Sequence, residues 1–142
     1  MIRTKILGAA LAAFATTAYA ADVPAPKVDI QKLGTLTTTV TGQPIVVPSN
    51  PDVIASIGTF PPGSRLPEHK HPYPHIVYVM EGTLTVTNTE TGKTFEVHQG
   101  DFVAEMEDTW HYGVNNGTVP VKLFVIDEVP HGTTSNLVPK TP

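Results

Sequence analysis

Past its first twenty residues the chain is written in short apolar runs separated by Gly, Pro and Asn. Eight stretches have the composition of strands, rich in Val, Ile, Thr, Phe and Tyr: 36–41, 45–47, 53–60, 75–80, 84–88, 93–97, 102–105 and 121–128. In TLTVTN, Leu84 and Val86 alternate with threonines, the period-two pattern of a strand with one wet face. No window of eleven or more residues repeats with a period near 3.6, so helices are not expected. The pattern predicts an all-β, antiparallel sandwich or small barrel. Glu81-Gly82 and Glu90-Thr91-Gly92-Lys93 read as hairpin turns, each with a Gly expected at positive φ.

The ends read differently. MIRTKILGAALAAFATTAYA combines Arg3 and Lys5, an apolar run of small residues and an A-x-A site at 18–20. It predicts a secretory signal peptide over 1–20, cleaved between Ala20 and Ala21, and a mature protein that is secreted or periplasmic with no stable membrane anchor. Residues 21–34, with two prolines, predict an extended leader; 35–130 the folded domain; and 131–142, polar and Pro-bearing, a flexible C-terminal tail.

Composition narrows the chemistry. At 142 residues and 40% hydrophobic content, one domain with its own core is expected. Losing the leader removes two of nine basic residues and none of thirteen acidic ones, which leaves an acidic mature chain. Such a surface repels polyanions, so nucleic acid is not an expected partner. With no cysteine, any metal must be held by nitrogen and oxygen, which excludes Fe–S clusters and thiolate zinc sites.

Three of the six histidines fall within PEHKHPYPH. His69 and His71 share parity, so on an extended segment both leave the same face. His75 follows a Pro72-Tyr73-Pro74 bend, and His111 lies further along, beside Trp110. Imidazole is the commonest ligand for Zn, Fe, Cu and Ni, and gathered rings make an inner shell.

These residues resemble the cupin superfamily. Its first motif, G-x5-H-x-H-x3,4-E-x6-G, is matched by Gly63, His69, His71 and Gly82, with His75 standing where the Glu is usual. Its second, G-x5-P-x-G-x2-H-x3-N, is matched by Gly100, His111 and Asn115, with Met106 and Asp108 in place of the Pro and middle Gly. The resemblance implies an antiparallel jelly-roll barrel with a divalent transition metal near its mouth, held by His69, His71, His75 and His111. Four-histidine members with this H-x-H-x3-H spacing often hold Mn or Fe, which are favoured here; Zn, Cu and Ni also suit the donors. With His75 in place of Glu, the ligand set lacks its usual proton acceptor.

Around the motifs, Arg65 shares parity with His69 and is a candidate for pairing with an anionic substrate, although Pro67 makes parity unreliable. Tyr78 is a second catalytic candidate; with Tyr73, Phe102, Met106, Trp110 and Tyr112 it either lines a cavity or packs in the core. Of Glu105, Glu107 and Asp108, one is a candidate partner fixing an imidazole, the others a solvated loop. His98 and His131 read as surface residues. The expected function is a metal-dependent enzyme with dioxygenase-like action on a small enolate or catechol-type compound. The alternatives are a non-catalytic periplasmic module binding metal or a small ligand, and a metal-dependent isomerase or epimerase. A homodimer is expected, since a short all-β domain has edges to cover.

Overall fold

The computed structural model describes residues 25–141; the expected signal peptide lies outside them. Chain contacts divide the molecule into Met1–Ile30 and Gln31–Pro142, and every strand falls in the second unit. The strands are β1 (Pro51–Phe60), β2 (His69–Lys70), β3 (His75–Glu81), β4 (Thr83–Asn88), β5 (Thr94–His98), β6 (Phe102–Ala104), β7 (His111–Val114), β8 (Val121–Pro130) and β9 (Val138–Pro139). They form a four-stranded sheet in the order β1-β8-β3-β6 and a five-stranded sheet in the order β5-β4-β7-β2-β9. All strand pairs are antiparallel, and no helix occurs among the described residues. This is the jelly-roll expected from the sequence.

Alternation places the core. Along β8, Val121, Leu123, Val125 and Val129 are buried in strict period two, while β3 turns Val77 and Val79 inward and β4 turns Leu84 and Val86 inward. With Val97 and Met106 these residues, Val129 apart, form one apolar cluster that glues the two sheets together. Two columns break from apolar to polar at the same end of the barrel: β8 places Asp127, and β3 places His75, in inward register positions that pair with each other.

Six expected strands are present within a few residues. The runs at 36–41 and 45–47 are not strands: they meet only at a bridge between Thr38 and Pro44, and Val46 and Val47 face solvent. Pro44 offers no N–H to extend the pairing. The C-terminal segment, expected as a flexible tail, carries β9, which pairs with β2, and buries Asn136. Both expected hairpin glycines have positive φ, at +77° for Gly82 and +73° for Gly92.

Gly82 also has no room for a side chain. A Cβ there would lie 2.7 Å from the Pro120 carbonyl oxygen and 2.9 Å from Val121 Cγ2. Gly82→Ala combines a left-handed backbone, about 1–2 kcal/mol, with a clash of similar size, and is expected to lower the thermal midpoint by roughly 10 °C or more. A scanning-calorimetry midpoint unchanged from wild type would contradict the packing of this turn.

Candidate metal centre

Four imidazoles meet at the polar end of the barrel. His69 comes from β2 and His111 from β7, which are paired residue for residue; His71 follows β2, and His75 opens β3 in the other sheet. His69, His71 and His111 are 4%, 3% and 1% exposed. Backbone carbonyls hold three of the rings by Nδ1: His69 donates to Pro67 at 2.7 Å, His111 to Thr109 at 2.8 Å and His71 to the distant Asn136 at 3.0 Å. His75 Nδ1 donates to Asp127 Oδ1 at 2.6 Å. With every Nδ1 occupied in this way, the Nε2 lone pairs are left to face the site.

The ligand atoms of His69, His71 and His111 lie within 4.8 Å of one another. His75 stacks on His71, with ring centroids 3.7 Å apart and planes 5° from parallel, and falls in a second group with His71 and Asp127. The sequence's four histidines are therefore gathered, but three make the compact set and the fourth sits beside it. The residues fit a metal: His71 Nε2 is buried with no hydrogen-bond partner, and an orphaned imidazole lone pair among other imidazoles is what a cation would satisfy.

The carboxylates were the part sequence reasoning resolved least. Glu105, one of the three acids expected to offer a partner to an imidazole, is 8% exposed and extends from the end of β6 into the histidine cluster. Its Oε2 lies 3.1 Å from His111 Nε2, 3.6 Å from His71 Nε2 and 4.0 Å from His75 Nε2. Asp127 takes hydrogen bonds from His75 and, at 2.7 Å, from Asn136 Nδ2. Asn136 also binds the Tyr73 backbone on both sides, so the C-terminal segment locks the Pro72-Tyr73-Pro74 bend. Glu107 and Asp108 do lie outside the cluster; Asp108 pairs with Lys70 at 2.6 Å. Asp108 occupies the usual Gly position of the second motif and keeps its left-handed backbone, at φ +48°, while its amide donates to the His71 carbonyl.

The remaining candidates separate cleanly. Arg65 bridges to Val114, stacks its guanidinium 3.5 Å over the Tyr112 ring and lines a cavity of about 420 Å³ that opens onto His69, His71 and His111. Tyr78 alternates with the inward Val77 and Val79, so it faces away from that cavity and pairs across β3 with Phe102 and Phe124; this removes it as a catalytic candidate. Met106 is fully buried core. His98 and His131 are exposed, as expected, and pair with Glu96 and Asp52.

Electrostatics divide the rings. Burial pushes the His69 imidazole down from 6.5 to about 4, against a smaller opposing pull from its hydrogen bond to Pro67. Burial also lowers His71, only partly offset by Glu105. His111 moves the other way: burial lowers it, but its contacts with Glu105 outweigh burial and raise it. Burial alone would raise Glu105, yet its hydrogen bond with His111 and the nearby His71 and His75 rings hold it well below the ordinary carboxylate range.

The His69 shift carries a stability consequence. Its folded value lies below its unfolded one, so the unfolded chain takes the proton first; the metal-free protein should lose stability as pH falls from about 6.5 to about 4. The loss from this ring is about 3 kcal/mol at most. Urea midpoints at pH 7 and pH 4 should fall less steeply in His69→Gln than in wild type; equal slopes would contradict the burial of this ring.

Comparison with known proteins agrees with this geometry. Residues 56–127 match the model of the cupin domain family, and the chain belongs to that family. No curated protein matches it. Among solved structures it is similar to the polyketide cyclase RemF from Streptomyces resistomycificus, at TM-score 0.54 and 18% identity, over 66% of this chain and 63% of that one. It is also similar to a Lactobacillus farciminis oxalate decarboxylase–formate complex, at TM-score 0.51 and 23% identity, over 61% of this chain and 26% of that one. The Schizosaccharomyces pombe Cnp3 cupin domain aligns at TM-score 0.50 and 17% identity, over 60% and 61%. The matched region thus spans less than two thirds of each of these proteins, and the likeness is one of fold.

Proposed function

We propose that the chain is a metal-dependent enzyme that oxidises a small enolate or catechol-type compound with dioxygen. In this reading one divalent transition metal, manganese or iron, is held by His69, His71, His75 and His111. The observation that carries the reading is the convergence of Nδ1-anchored imidazoles at the wall of a substrate-sized cavity. When bound, the metal supplies Lewis-acid and one-electron chemistry.

The chain's own residues do the rest. Leu66, Leu84, Leu123 and Val125 make the cavity walls apolar and exclude water from a bound organic ring or enolate. Ser64 Oγ lines the same cavity, buried and without a hydrogen-bond partner, and offers a donor to a substrate oxygen. Arg65, braced on Tyr112, adds the only positive side chain among the cavity's described lining and orients an anionic group toward the histidines. Export of a mature chain beginning at Ala21 is part of the proposal, and N-terminal sequencing of the protein recovered outside the cytoplasm checks it.

The test is oxygen uptake by manganese- or iron-loaded protein against a panel of catechols and enolisable acids. Uptake that requires both metal and substrate, with a raised KM in Arg65→Ala, is the expected result. Saturable substrate binding with no oxygen consumption across the panel would instead make the protein a binding module.

A further inference from the structure

Glu105 is a buried charge that the four-histidine set leaves unexplained. It is 8% exposed, and among the described residues no lysine or arginine pairs with it; its only charged neighbours are imidazoles. A buried carboxylate so placed needs a cation. We propose that Glu105 is itself a metal ligand, its Oε2 joining the imidazoles of His69, His71, His75 and His111 in the shell. This rests on the metal reading above.

The distances suit that role. Donors about 2.1 Å from one ion lie roughly 3 Å apart when adjacent and about 4.2 Å apart when opposite. Glu105 Oε2 stands 3.1, 3.6 and 4.0 Å from the Nε2 atoms of His111, His71 and His75, within that span.

Hydrogen counting points the same way. His111 faces an acceptor on both sides, the Thr109 carbonyl at Nδ1 and Glu105 at Nε2, whereas a neutral ring carries one N–H. His71 donates from Nδ1 to Asn136, which leaves its buried Nε2 lone pair turned toward the same carboxylate oxygen with no hydrogen between them. A cation beside these atoms binds every lone pair at once.

Backbone position makes the arrangement firm. The Glu105 amide donates to the His75 carbonyl at 2.9 Å, so the carboxylate enters from the four-stranded sheet while His69 and His111 enter from the five-stranded one. The first motif's usual Glu is His75 in this chain, and His75 is turned to Asp127. Glu105 returns an anionic donor to the centre from a different strand.

The competing explanation is an ion pair between Glu105 and a doubly protonated His111, with no part in metal binding. Cobalt(II) separates the two, because its visible spectrum reports the donor set and its affinity can be measured by chelator competition in the full chain. Wild type, Glu105→Gln, Glu105→Ala and His111→Ala are titrated side by side. A cobalt ligand predicts a shifted spectrum and at least about tenfold weaker binding in Glu105→Gln. It also predicts that acetate, small enough for the cavity, restores the wild-type spectrum in Glu105→Ala and not in His111→Ala. A Glu105→Gln or Glu105→Ala protein with the wild-type spectrum, binding within about threefold of wild type and indifferent to acetate, would overturn the assignment while weak binding by His111→Ala upheld the centre. Wild-type protein that takes up no cobalt, or His111→Ala that binds as tightly, would sink the metal reading and the Glu105 assignment together.

Discussion

His111→Ala is expected to lower metal affinity by more than about 100-fold, beyond what losing a supporting partner of a ligand costs. His111 is 1% exposed, is held by Thr109 and lies closest of the histidines to Glu105. Truncation removes a donor from the compact group and leaves Glu105 with less to balance its charge, so the metal-free variant should also be less stable by about 1–3 kcal/mol. Equilibrium dialysis read by elemental analysis gives the affinity, and urea unfolding gives the stability. A variant that retains metal as tightly as wild type would mean that the convergence of rings has another purpose.

Asp127→Ala should weaken metal binding by roughly 10–100-fold, because it frees His75 while every other histidine keeps its backbone anchor. The Asp127 carboxyl is held below its ordinary value: burial raises it, but hydrogen bonds from His75 and Asn136 outweigh burial. Asp127→Asn keeps an oxygen that accepts from His75 and should lose much less. The same pair decides what His75 does. If Asp127→Ala leaves affinity untouched, His75 serves the second cavity, lined with Asp127 and Asn136, and is not a ligand.

Much of this arrangement was legible in the residues, and for physical reasons. The alternation of Leu84 and Val86 with threonines, and the punctuation at Gly82 and Gly92, follow local rules of pleat and turn, so the hairpins could be read directly. His69 and His71 share parity in a segment that is in fact extended, and their rings do converge. The misses are where tertiary contact decides. β2 and β9 are two residues each and exist only because they lie against β7 and each other. Asn136 has no sequence signal at all, since its value lies in reaching Tyr73 and Asp127 across the fold.

Asp127 was legible and overlooked: in Val121, Leu123, Val125, Asp127 and Val129 it holds an inward column of an otherwise apolar strand face, the mark of a buried polar group with a task. Glu105 was harder. It ends a three-residue strand among other acids, and only the folded chain separates it from Glu107 and Asp108, which face elsewhere.

The most direct measurement is anomalous diffraction, at the absorption edge of the metal that the purified protein carries, from crystals of the metal-loaded protein. One strong peak is expected between the two sheets, within about 2.0–2.4 Å of the Nε2 atoms of His69, His71 and His111. A peak bound elsewhere, or none in crystals whose protein contains stoichiometric metal in solution, would show that these imidazoles do not share an ion.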